Sequence, residues 1–227
     1  LKSPIYYAVQ KDIDIRTGGP TLIDFDMQRI SQRINIILNI RTEGDIKKED
    51  LLPRIIELSG ACGHFNISEA CLDTTRLYRM VHQAQPDEFT QTGENTYRCV
   101  VHFHTLGVIP SAAKGHLNGP GILQVALQVS ANRLDASGAP VLDQDGKPVK
   151  NSRYIYGAIN PYDELTAAQL IEVRDGKTYL RYSKDDVNIE ITSPLVIKAD
   201  QIVSDDTGMG WQPNDPTNPD DDIIIEI

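Results

Sequence analysis

No apolar run in this chain reaches the roughly 18 to 20 residues that a membrane-crossing helix needs, so a span is not expected. Cysteine is scarce. Cys62, Cys71 and Cys99 are an odd number with no CxxC pair, which points to buried thiols and to neither a disulfide framework nor a zinc ribbon. Positive charge is in deficit, with 22 Lys and Arg against 32 Asp and Glu, a formal net charge of -10 and a pI near 4.9. Without a basic stripe, direct nucleic-acid binding is not expected, because phosphate neutralisation needs clustered cations. GxGxxG, Walker, GxSxG and HExxH patterns are missing, which leaves dinucleotide, phosphate and common hydrolase mechanisms without support, and no cofactor is expected. The N-terminus lacks the charged-then-apolar form of a signal peptide; the chain begins with Leu, which leaves a removed leader open.

What is present is organised around residues 96–159. Tyr97, Cys99, Val101 and Phe103 alternate with Arg98, Val100, His102 and His104, the pattern of a half-buried strand. Leu123, Val125, Leu127 and Val129 alternate with Gln124, Ala126, Gln128 and Ser130, and Tyr154 and Tyr156 sit at strand spacing in 153–159. All three runs are expected in one sheet. Between the second and third, Ser137-Gly138 and Asp145-Gly146 are turn dipeptides, so 131–152 reads as a long hairpin arm and a candidate inter-subunit contact.

Upstream, alternation at Ile5, Tyr7 and Val9 predicts a strand that breaks at Gly18-Gly19-Pro20. Met27, Ile30, Ile34 and Ile37 recur at three and four, which predicts a helix from Asp24, although 35–41 also fits a strand. Helices are expected over 47–59, capped by Gly60, and over 69–83 behind Ser68, with His64 and His82 near their ends. A polar loop is expected at 84–95, and Asn160-Pro161 opens a short helix. Short strands follow at 179–182, 187–191 and 195–203. The segment Ile191-Thr-Ser-Pro-Leu-Val-Ile-Lys-Ala-Asp-Gln-Ile-Val203 resembles the β-helical spike repeats of contractile phage tails over about one repeat, with no functional residue to carry over. Residues 205–222 are rich in Asp and Pro and read as an extended linker. It leads to an apolar β-former, Ile223, Ile224, Ile225 and Ile227, which can add to the chain's own sheet or to a neighbour's.

His102 and His104 share a strand face, and His116 lies in a glycine-rich loop; three imidazoles can hold zinc with an open position. The alternative is a polar outer face. Asp143-Gln-Asp-Gly146 does not fit a calcium loop, because Val141 and Ser152 fall where carboxylates are needed. Asn66-Ile-Ser68 fits a glycosylation triplet, and the tyrosines fit core packing better than a ligand face.

The fold expected is α+β: a mixed, helix-containing region over 1–93, a β-sandwich or jelly-roll-like body over 94–205, and an acidic tail over 206–227. The function expected is that of a non-enzymatic structural subunit of a repeating assembly, a phage or virus particle first and a surface filament next. Its partners would be copies of itself and other assembly proteins, in a virion or extracellular assembly. The alternatives are a metal-dependent enzyme using His102, His104 and His116, and a secreted binding module.

Overall fold

The computed structural model describes residues 4–15, 17–181, 186–199, 202 and 223–226, and over these the chain is mostly β-strand in several sheets with very little helix. A short ladder joins β1 (Tyr6–Tyr7) to β2 (Gln28–Arg29). In β3 (Gln32–Glu43), Ile34, Ile36, Leu38 and Ile40 are buried at every second position, the spacing that sets branched side chains on one face of the pleat. β4 (Leu51–Asn66) and β5 (Cys71–Gln83) pair as an antiparallel hairpin, as do β6 (Phe89–Gly93) with β7 (Thr96–Thr105) and β8 (Leu123–Asn132) with β9 (Lys150–Ile159). After α1 (Tyr162–Ala167) come β10 (Ile171–Arg174), β11 (Lys177–Leu180), β12 (Val187–Lys198) and β13 (Ile223–Glu226).

These strands make a seven-stranded sheet, β10-β11-β5-β4-β8-β9-β13, and a four-stranded sheet, β12-β3-β7-β6. Buried side chains from both belong to one core, with Ile36, Val101 and Ile189 from the smaller sheet and Leu58, Leu127 and Ile155 from the larger. Removing this surface from water is the main favourable term, at roughly 25 cal/mol per Å². A smaller cluster of Ile30, Cys62, Leu72 and Leu106 joins the β1–β2 ladder to the β4–β5 hairpin.

The three N-terminal helices are corrected to strands. Residues 24–37 carry both spacings, but β3 pairs with β7 from Gln32↔Thr105 to Arg41↔Thr96. Period-2 burial of isoleucine against that ladder prevails over the three-and-four spacing. Of the helix expected at 47–59 only a single 3-10 turn forms, at Lys48–Asp50, and Gly60, the expected cap, lies inside β4 with a positive φ of 84°. Residues 71–83 are β5, and the loop expected at 84–95 contains β6. Among the described residues, α1, two 3-10 turns and the helical positions Ala199 and Ile202 are the helical content, little for an α+β chain.

The single sheet expected for 96–159 is also corrected: β7 lies in the four-stranded sheet, and β8 and β9 in the seven-stranded one. Alternation reports which face is buried but not which strand lies alongside. The strands expected at 187–191 and 195–203 join as one, β12, which runs parallel to β3 with a register shift between Ile191 and Leu195 and ends at Lys198; Ala199 and Ile202 are helical, and residues 200, 201 and 203 lie outside the described residues. The short helix after Asn160-Pro161 is α1.

Candidate interaction surfaces

The β8–β9 ladder ends at Asn132↔Lys150, and residues 133–149 continue as two tight turns closed by the bridges Leu134↔Pro140 and Leu142↔Pro148. Gly138 and Gly146 take positive φ of 83° and 77°, as their turn positions require. The Asp135 carboxylate accepts from the Ser137 amide and hydroxyl and from the Ala139 amide, and Asp143 accepts from the amides of Asp145 and Lys147. The Ser137 hydroxyl, with those amides behind it, holds the Asp135 carboxyl below the usual carboxylate range. Ser137, Gly138, Asp145 and Gly146 are therefore exposed tips, and Asp135 and Asp143 set their shape. The expectation from sequence rests on the glycines and not on this role of the two aspartates, although the recurring Asp-x-x-Gly at 135–138 and 143–146 carries it. At the base of this hairpin the ammonium of Lys150 pairs with buried Asp50, and Asn132 donates to Asp45 at 2.9 Å.

β13 lies parallel on the outer edge of β9, from Ile223↔Ile155 to Glu226↔Ala158, and so places the backbones of Ile223, Ile224 and Ile225. Ile227, the linker at 205–222 and Tyr182 lie outside the described residues.

Across the outer face of the four-stranded sheet runs a polar row. Asn35 donates to Asn188 at 2.8 Å, and its amide oxygen is 2.6 Å from His102 Nδ1. An amide oxygen only accepts, so Nδ1 carries the proton and the ring is fixed in one tautomer. His104 stands opposite Arg33, which pairs with Asp186 at 3.4 Å, and its Nδ1 is buried with no partner among the described residues. His116 is exposed in the loop between β7 and β8, where its carbonyl accepts from Asn160 at 2.8 Å. The structure thus does not bring His102, His104 and His116 together. Among the described residues no three His, Cys, Asp or Glu groups are placed to hold a metal.

Burial, and then the Arg33 guanidinium, hold both His102 and His104 below the ordinary imidazole value. With folded values depressed, the unfolded chain takes up protons more readily. Stability contributed by the neutral rings is full above the unfolded value of about 6.5 and falls as pH drops through it toward the folded values. Urea unfolding between about pH 7.5 and 5.5 is expected to show this decline. It should flatten in a chain with His102→Gln and His104→Gln; an equal slope in both would sink the assignment.

A shallow cavity of about 300 Å³ lies at the β4–β5 turn, lined by His64, Phe65, Asn66, Glu69, Cys71, Leu72 and Asp73. His64 and His82, expected at helix ends, lie in β4 and β5. His64 faces Asp73 across the ladder, and His82 meets Glu88 at 2.8 Å. All three cysteines are free and buried. Burial, aided by Asp73, pushes the Cys62 thiol up to about 11; burial, aided by Glu88, pushes Cys99 up to about 12. Cys71 is also raised, by burial and by its bond to Glu69. Thiols held in this way stay protonated at neutral pH and are poor nucleophiles.

Large apolar side chains stand uncovered in the N-terminal segment between β1 and β2, on the outer face of the seven-stranded sheet, at Ile67 in the β4–β5 turn, and at Leu134 and Leu142 in the 133–149 hairpin. No protein-family model matches the chain, and comparison with curated proteins and with solved structures finds no match.

Proposed function

We propose that the chain is a non-enzymatic structural subunit of a repeating assembly, with a phage or virus particle (capsid, tail or baseplate) as the first candidate and a surface filament as the second. The reading is carried by β13. This strand completes the edge of β9 in parallel register, and the Asp- and Pro-rich sequence before it has the composition of an extended tether. A tethered strand can occupy its own edge or the same edge of a neighbour, because the ladder and its register are identical in both. Exchange then links copies without any new contact, which is how a low-cost swap assembles subunits.

The exposed turns at 133–149 supply a second contact, held at their root by Asp50 and Lys150. The body would be a sandwich of the two larger sheets, a jelly-roll-like tile, which the shared core supports. Partners would be further copies and other assembly proteins, in a virion or extracellular assembly.

Light scattering on the full chain and on a chain lacking 218–227 tests the proposal. The full chain is expected to size as several copies and the shortened one as a monomer. Monomers in both cases at high concentration would overturn it. So would stoichiometric zinc or iron that is lost on His102→Ala.

A further inference from the structure

We infer that residues 8–27 are an arm that docks on a second copy of this chain, along the outer face of its seven-stranded sheet. The inference rests on the assembly reading and names the partner of one more contact. Ile23, Phe25 and Met27 alternate with Asp24 and Asp26 at strand spacing, yet between β1 and β2 the described residues form no ladder. The apolar side chains are uncovered, with Leu22 87%, Ile15 75% and both Phe25 and Met27 58% exposed. The root of the excursion is firm. Ile30 donates to the Ile5 carbonyl at 2.8 Å, and Ile5 and Tyr7 pack on the Ile30–Leu72 cluster. A segment patterned as a strand, anchored at both ends and apolar on one side, is built to meet a surface.

That surface is present in the same chain. On the outer face of the large sheet Ile55 lies opposite Ala126, which lies opposite Tyr156, and Val81 and Leu52 flank this row. Val81 is 61% and Ile55 46% exposed, so the chain's own arm does not cover the row and the occupant comes from another copy. Charge favours the match. The arm carries Asp12, Asp14, Asp24 and Asp26 against Lys11 and Arg16. None of these aspartates is in an ion pair among the described residues. The two strands that bear Ile55 and Val81 carry Arg54, Arg76 and Arg79 against Glu57 and Asp73, a balance of opposite sign to the arm's. Opposite fields of this kind steer encounter and set register.

Two measurements on the full chain test the arm. In the first, a chain with Phe25→Cys and an affinity-tagged chain with Ile55→Cys are mixed and oxidised; the native thiols are buried and stay out of the reaction. A disulfide between the two chains is expected. In the second, Phe25→Asp with Met27→Asp is expected to weaken self-association at least about tenfold, the loss that follows when a central apolar anchor is removed, with the melting temperature unchanged. Failure of either result overturns the arm. If the parent chain associates and only removal of 218–227 disperses it, the arm falls and the assembly reading stands. If the parent is monomeric at high concentration, both fall.

Discussion

Phe89→Ala is expected to lower stability by about 3–5 kcal/mol, the range for deleting a buried aromatic ring. Phe89 is the one fully buried side chain of β6; its ring stacks on Tyr97 at 5.5 Å, and its strand pairs with β7 only from Phe89↔Cys99 to Gly93↔Thr96. With so short a ladder, the ring is what holds this edge strand to the core. Urea unfolding should show a midpoint shift of that size, and amides of 89–93 should lose hydrogen-exchange protection beyond the global loss. A loss under about 1 kcal/mol, small for any core truncation, would mean that β6 is peripheral to the fold.

The second large effect concerns two glycines. Gly60 and Gly121 both have positive φ, 84° and 72°. A Cβ on Gly60 would lie 2.6 Å from the Gly121 nitrogen and from the Ile109 oxygen, and one on Gly121 would lie 2.6 Å from the Ser111 nitrogen. These are backbone atoms, tied by Gly121 donating to Ser59 at 3.1 Å and Ile109 donating to Gly60 at 2.9 Å, and they cannot turn aside as a side chain can. Gly60→Val therefore combines left-handed strain of about 1–3 kcal/mol with a backbone clash of similar cost. About 3 kcal/mol or more should be lost, read as a drop in urea midpoint and in soluble yield. Gly138→Ala is the control. Its φ is also positive, but an added Cβ meets nothing within 4 Å, so about 1 kcal/mol is expected. Equal losses at the two positions would show that strain alone decides.

How much of this was legible in the residues depended on which signal each element carried. β7 and β8 alternate cleanly, and their buried faces are those the spacing indicates. The turn glycines 138 and 146 were equally plain. β3 was not, because its five isoleucine and leucine residues between 34 and 40 satisfy both helical and strand periods, and only pairing with β7 and β12 separates the two. β5 was hidden for the opposite reason. Most of it from Thr74 to Arg79 is exposed, so it has little buried face to reveal a period. The partner of each strand was out of reach throughout, since β4 meets β8 and β3 meets β12 across long stretches of chain. At the candidate sites, His102 and His104 share a face as their spacing indicates, while His116 is placed elsewhere by a loop whose path no local pattern encodes.

The parallel pairing of β12 with β3 also governs when the protein can finish folding. A ribosome delivers the isoleucine-rich residues 32–43 early, and β7 can cover one side of them soon after. The other side must wait until 187–198 have emerged, with Asn35 meeting Asn188 and Asn39 meeting Glu190 only then. Such late closure is slow because the intervening loop must be ordered first. Throughout that interval an aliphatic edge stays open to any other nascent strand, so this chain should depend on holdase chaperones during synthesis more than its length alone would require.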